Sequence, residues 1–385
     1  MSEQAFELVE QCLETSGSGA GLDFLVKKFR DEKQYPQLFE ARLMKKRHEL
    51  GLPLIHTGPL NDLPEKTQRA YDEGSMEIAR EVGNLFLAEG EIERAWPYFR
   101  AIGEAGPIRE AIEALDTRED LDGIIEIAYH ERVNPRKGFE LALSNYGTCR
   151  AITYFGQYPS EEGRDESARL LTKTLYDELV ENLKRTIEKN PEKNPEKNED
   201  KLPAANRVSE LIEGRDWLFE GNSYFIDTSH VSSIVQYAVE WRDPETLQMA
   251  VELCSYGKRL GEMFQFKGQP PFEDVFVDHE VYLKALLGDD VDGAIAHFRA
   301  KVVESDPDEV GTAPAQTLVK LLTRLEHYGE AVDIFREFLG EADPAYLACP
   351  NPRQLCQMGG DYERLRELAR EEGDLLSFTA ASIQG

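Results

Sequence analysis

The residue types best suited to chemistry gather in the second half of the chain. His279-Glu280-Val281-Tyr282-Leu283 begins as the HExxH zinc motif begins. That motif needs two imidazoles one helical turn apart, facing one metal, with the glutamate as general base. Leu283 stands where the second histidine belongs, so the motif fails at its decisive residue. A looser set remains: His230 beside Asp227, the Asp278-His279-Glu280 cluster, and His297. Stacked helices would bring such imidazoles and carboxylates together, as metal ligands (His230, Asp278, His279) or as an acid–base pair. Nothing in the spacing requires this: helix capping explains Asp227, and an ordinary solvated helix surface explains Glu280.

Two other stretches invite a chemical reading. Gly17-Ser18-Gly19-Ala20-Gly21 has the glycines of a nucleotide loop, but an amphipathic stretch precedes it where a strand is needed, and no Gly-Lys-Ser/Thr follows. A helix–helix turn is the better reading. Lys45-Lys46-Arg47-His48 is a cationic cluster in an acidic chain, either pairing with the acidic body or docking an acidic partner. The five cysteines, Cys12, Cys149, Cys254, Cys349 and Cys356, form no CxxC pair and read as reduced thiols. Nothing in these patterns calls for a cofactor.

Charge narrows the partners. Lys and Arg total 44 against 73 Asp and Glu, a net of −29. Phosphate backbones and anionic lipid both need clustered cations, so neither nucleic acid nor membrane is an expected partner. No uncharged stretch approaches the roughly 18 apolar residues of a span, and Glu3, Glu7, Glu10 and Glu14 stand where a signal peptide wants cations. The expected location is cytoplasmic.

The elements that must position these residues read as helices. Ala168, Leu171, Leu175, Leu179, Leu183 and Ile187 recur at three- and four-residue steps, marking one amphipathic helix over 165–189. Asn190-Pro191-Glu192-Lys193 is then written again at Asn194-Pro195-Glu196-Lys197, with nothing apolar to bury, and reads as a linker. The expected organisation is an N-terminal helical segment over 1–64, helical repeats over 65–189, a linker over 190–203 and a further helical segment over 204–385. Trp217-Leu218-Phe219 and Tyr224-Phe225-Ile226 around a Gly221-Asn222 turn predict one short β-hairpin near 217–226.

An internal pattern runs through the helices. In 75–109, Ala79, Val82, Gly83 and Phe86 lie on one helix face, Glu89-Gly90 makes a turn, Ala95 and Phe99 line a second helix, and Pro107 closes the unit. Small residues at Gly83 and Ala95 let two helices approach closely. Tyr282, Ala285, Asp289, Ala294 and Phe298 with Pro307 repeat the order more weakly, as do Leu318, Leu322, Ala331, Phe335 and Pro344. Gly359-Gly360-Asp361-Tyr362 suggests a degenerate closing unit.

This order resembles the tetratricopeptide repeat, a two-helix unit of about 34 residues. It departs at Ala79, where the family usually has Trp, and at Ile102, where it favours a small residue. The resemblance implies an all-α fold, an alpha-solenoid of helix–turn–helix repeats, with a concave groove that takes an extended peptide or a partner helix. It places Arg80, Asn84, His279, Gln316 and Lys320 on the groove-facing helices. Arg80 and Asn84, four apart, form a cation–amide pair of the kind that holds a peptide carboxylate. The leading expectation is a non-catalytic scaffold binding a protein or peptide. Its rival is an enzyme or ligand-binding protein with a pocket around His230 and Asp278–Glu280.

Overall fold

The computed structural model describes residues 3–55, 63–115, 121–193 and 207–385. They group into two compact units, 1–147 with 157–164, and 148–156 with 165–385. The described part of the expected linker, 190–193, falls within the second unit. It holds a short 3-10 turn at Pro191–Lys193, and the rest of the linker lies outside the described residues.

The first unit holds α1 (Glu3–Ser16), α2 (Ser18–Asp31), α3 (Tyr35–Glu49), α4 (Glu65–Ala88), α5 (Ile92–Ala101), α6 (Gly106–Glu113), α7 (Asp122–Ile125) and the first part of α8 (Pro135–Gly156). The second holds the rest of α8, α9 (Arg164–Lys189) from its second residue on, α10 (Val208–Ile212), α11 (Thr228–Tyr237), α12 (Pro244–Gly257), α13 (Val275–Leu286) and α14 (Val291–Glu304). It continues through α15 (Pro307–Val310), α16 (Ala313–Arg324), α17 (Tyr328–Phe338), α18 (Pro352–Gly359), α19 (Tyr362–Glu371) and α20 (Leu375–Gln384). The division inside α8 falls at Gly147, whose φ of 77° breaks the helix.

Helices pack mainly on their neighbours in sequence, α4 on α5, α12 on α13, α16 on α17 and α19 on α20. Serial pairing of this kind is consistent with an all-α solenoid. In the first unit Phe86 meets Tyr35 edge-on at 5.0 Å, and Ala95 and Phe99 are fully buried between α4 and α5. A Cβ built on Gly83 would lie 2.6 Å from the Phe99 ring, so the glycine is what lets this pair close. In the second unit the apolar stripe of α9 is buried along its whole length, from Ala168 to Ile187.

The turns within pairs share one device. Glu91, Asp289, His327 and Asp361 each donate an N–H back to the carbonyl five residues earlier, on Phe86, Lys284, Leu322 and Cys356. Such a closure needs a left-handed residue just before it, supplied by Gly90, Gly288, Glu326 and Gly360.

The expected hairpin does not form, and among the described residues there is no strand, only an isolated bridge between Lys267 and Asp274. The turn signal was sound, since Gly221 and Asn222 both take positive φ. What fails is the pairing beside it. The Phe225 N–H donates to the Tyr256 hydroxyl at 2.9 Å, and the Phe225 carbonyl accepts from the Asn182 amide at 2.8 Å. Side chains of α12 and α9 thus take the backbone groups a partner strand would need. Residues Asp216–Asn222 wind into a 3-10 turn instead, with Leu218 buried. No described helix is long and apolar enough to cross a membrane.

Candidate functional site

Counted back from Ala95, Ala294 and Ala331, Arg80, His279 and Gln316 stand at the same distance of fifteen residues in three helix pairs, the turn after α13 being one residue longer beyond its left-handed position. Their surroundings differ entirely. Arg80 grips Glu104 through two parallel bonds, Nε to Oε2 at 2.9 Å and Nη2 to Oε1 at 2.6 Å. These bonds hold the Glu104 carboxyl below its ordinary range. The guanidinium is therefore already engaged with a carboxylate of its own chain. Asn84, one turn on, is exposed.

His279 is not a groove residue. It is 3% exposed, stacked at 4.1 Å on Phe272, with Nδ1 bonded to the Val275 carbonyl at 2.6 Å. The segment ahead of α13 folds back over this helix and covers it. Burial pushes the imidazole down to about 4, so it is neutral near pH 7.

Gln316 and Lys320 come closest to the expectation. The Gln316 side chain accepts from the Ala348 N–H at 2.6 Å and donates to the Tyr346 carbonyl at 3.3 Å. It thereby meets both polarities of the backbone where the chain leaves the 3-10 turn Pro344–Tyr346 beside α16. Lys320, one turn further, is exposed and takes part in no ion pair among the described residues. Next to this stretch a hollow of about 660 Å³ is lined by Ala348, Cys349, Pro350, Gln354, Gln357 and Met358. A capping box fixes its floor, with Asn351 Oδ1 accepting from the Gln354 N–H and the Gln354 side chain accepting from the Asn351 N–H. The Asn-Pro-x-Gln spelling of that box was legible in the sequence and marks the start of α18. Burial raises the Cys349 thiol, opposed by the nearby Lys320.

The rival cluster resolves into a brace. Asp278, 2% exposed, accepts from His297 Nε2 at 2.8 Å, from Lys301 Nζ at 2.9 Å and from the Asp274 N–H at 2.9 Å. Burial lowers the Lys301 ammonium, but its bonds to Glu273 and Asp278 outweigh that and raise it. Glu280 accepts from Ser255 and Lys258 and pairs with Lys284 at 3.4 Å. The expected solvated Glu280 is thus buried and neutralised. These bonds tie α12, α13 and α14 together.

His230 sits half-exposed in the first turn of α11, which Asp227 caps by accepting from the Ser229 N–H as expected. No hydrogen bond or ion pair joins it to Asp278, His279 or Glu280 among the described residues. The three proposed metal ligands therefore do not converge, and no group of His, Cys, Asp and Glu able to hold a metal occurs among the described residues. A hollow of about 560 Å³ does lie at the aromatic stretch, beside Trp217, Asn222 and Tyr224, but neither histidine lines it. In the cationic cluster, Lys45 pairs with Asp23 and Arg47 donates to the Tyr71 hydroxyl at 3.2 Å, which favours pairing within the chain.

Sequence reasoning missed one recurrent feature. Phe99, Phe298 and Phe335 are each followed by an arginine, and Arg100, Arg299 and Arg336 pair with Glu131 at 3.1 Å, Glu330 at 2.7 Å and Glu371 at 3.1 Å. The repeated Phe-Arg dipeptide was the available signal. Comparison with known proteins supplies no relative: no family model, no curated protein and no solved structure matches this chain.

Proposed function

We propose that the chain is a non-catalytic, tetratricopeptide-like interaction protein that binds an extended segment of a partner along α16 and α18. The observation that carries this reading is the Gln316 amide paired with both polarities of the backbone that leaves the 3-10 turn Pro344–Tyr346. A helix surface able to hold a backbone segment through a side-chain amide offers the chemistry that peptide grooves use. Lys320 adds an unengaged cation one turn on, and the hollow at Cys349–Met358 adds room for a side chain. The carboxylate-holding role expected of Arg80 passes in this reading to Lys320, because Arg80 is engaged with Glu104. The favoured ligand is an acidic or carboxylate-bearing peptide, held by a charge-assisted bond.

A screen of an immobilised library of eight-residue peptides with the full chain tests this. Acidic sequences should be enriched, and Lys320→Glu should abolish the enrichment. Added salt should weaken it, since screening shortens below the ~10 Å that holds at 0.1 M. Enrichment equal in both proteins, or none in either, dismisses the reading.

A further inference from the structure

We propose that residues 343–348, the strap beside α16, are an intramolecular competitor that an incoming peptide must displace. Such competition rests on the reading that a partner segment binds along α16, and it sets how tightly. A glutamine amide offers two N–H donors and a carbonyl. In Gln316 one N–H goes to the Thr312 hydroxyl at 2.8 Å, at the start of α16 itself. The strap takes what remains, with the Tyr346 carbonyl on the other N–H at 3.3 Å and the Ala348 N–H on the amide carbonyl at 2.6 Å. A partner backbone meets both polarities of this amide only where the strap has left it.

The strap is lightly held. None of residues 341–350 is buried, and Tyr346 is 79% exposed. Its other bonds are its own: Tyr346 N–H to the Asp343 carbonyl, Leu347 N–H to the Pro344 carbonyl, and Ala345 N–H to the Asp343 carboxylate at 2.9 Å. These travel with the 3-10 turn Pro344–Tyr346 when it lifts. Among the described residues Gln316 is the one side chain outside the strap that hydrogen-bonds it. The flanks are fixed, by buried Leu339 at the end of α17 and by the capping box that opens α18. Release therefore breaks two hydrogen bonds, exposes no buried side chain of the strap and leaves the helices in place.

Two such bonds set the scale. One net hydrogen bond in a protein shifts an equilibrium by a factor of roughly two to ten. Two hold the strap down in most free chains, while a ligand of modest affinity suffices to open it. The apparent affinity for a partner is then the intrinsic one reduced by the fraction of chains that are open. The strap offers α16 the groups that any peptide offers, the Tyr346 carbonyl and the Ala348 N–H, so the amide cannot hold both at once.

Fluorescence anisotropy with a labelled octapeptide of alternating Glu and Ala decides the matter, using the full chain and two substitutions that leave its charge unchanged. Ala348→Pro removes the N–H that the Gln316 carbonyl accepts. Leu347, at φ −93° and ψ 118°, already has the backbone that a residue before proline needs. Pro344→Gly leaves both bonds in place and gives the released strap more freedom. Ala348→Pro should bind the peptide roughly two- to tenfold more tightly than wild type, with an unchanged melting curve. Pro344→Gly should bind it more tightly by a smaller factor. In wild type the Ala348 amide should exchange with deuterium several-fold faster under saturating peptide, where a ligand added beside an unmoved strap would slow it. Equal or weaker binding by Ala348→Pro overturns the competitor, as does an Ala348 amide that peptide does not accelerate, and either result leaves the peptide reading standing. No binding to any of the three proteins dismisses the peptide reading and the competitor together.

Discussion

His279 and Gln316 stand equally far ahead of Ala294 and Ala331 in successive helix pairs of one unit, yet the first is sealed under a ring and the second faces a hydrogen-bonded strap. The second helices of the two pairs bury the same residue types, Ala294 and Phe298 on α14 and Ala331 and Phe335 on α17. What differs is the connecting segment. Ahead of α13, Gln265 fastens the loop to the Gly257 and Leu260 carbonyls, and Phe272 drops onto His279, Tyr282 and Phe298. Between α17 and α18, none of residues 341–350 is buried, and Gln316 is the side chain that bonds Tyr346 and Ala348. A helix face becomes core or contact surface according to whether its loop brings an aromatic ring.

The largest test of this contrast is pH. His279 has a folded value of about 4 against an ordinary 6.5, with burial as the main cause. The unfolded chain therefore takes up a proton first as pH falls. Stability contributed by the neutral ring is intact above 6.5 and is lost between 6.5 and 4, up to roughly 3 kcal/mol. Melting temperatures of the wild type should fall across that window more steeply than those of His279→Gln, and parallel curves would mean that the ring is not sealed. Next in size is Phe272→Ala. Removing a half-buried ring that touches three others should cost about 2–3 kcal/mol, below the 3–5 expected of a fully buried phenylalanine. A loss under 1 kcal/mol in a denaturant titration would return this loop to the same class as the strap.

Gln316→Ala should do the opposite, changing little globally and much locally. The strap has no buried side chain, so the variant should lose about 1 kcal/mol or less of overall stability. Its Ala348 amide, released from the Gln316 carbonyl, should exchange with deuterium at least several-fold faster while amides of α16 and α17 stay put. Unchanged protection at Ala348 would show that backbone packing, not the glutamine, holds the strap.

The parts legible in the sequence are those set by short-range periodicity. The stripe of α9, the Gly83–Phe99 closure and the cap at Asp227 depend on residues within one helix or one pair. Periodicity is silent on what a loop will cover, because a loop's path depends on side chains far away in sequence. Phe225 shows this: its backbone goes to Asn182 and Tyr256, 43 and 31 residues off, and the hairpin is lost. Arg80 shows it again, since a free cation and one held by Glu104 look identical in a list of residues.

The smallest prediction turns on the two closing turns of these pairs. After α13 the left-handed position is Gly288, at φ 81°, and after α16 it is Glu326, at φ 63°. A side chain there crowds its own backbone, at a cost of roughly 1–2 kcal/mol for a residue other than glycine. The Glu326 carboxylate makes no hydrogen bond or ion pair among the described residues that would offset it. Glu326→Gly should therefore relieve the strain. Glycine also adds freedom to the unfolded chain, which takes back about 0.5–1 kcal/mol. The net expectation is a gain of about 0.5 kcal/mol, read as a slightly higher denaturant midpoint with an unchanged slope. Gly288→Glu should lose more than Glu326→Gly gains, because strain and lost closure then act together. If Glu326→Gly were destabilising instead, the left-handed turn after α16 would be supported by contacts of the glutamate, and the two pairs would differ in their turns as well as in their loops.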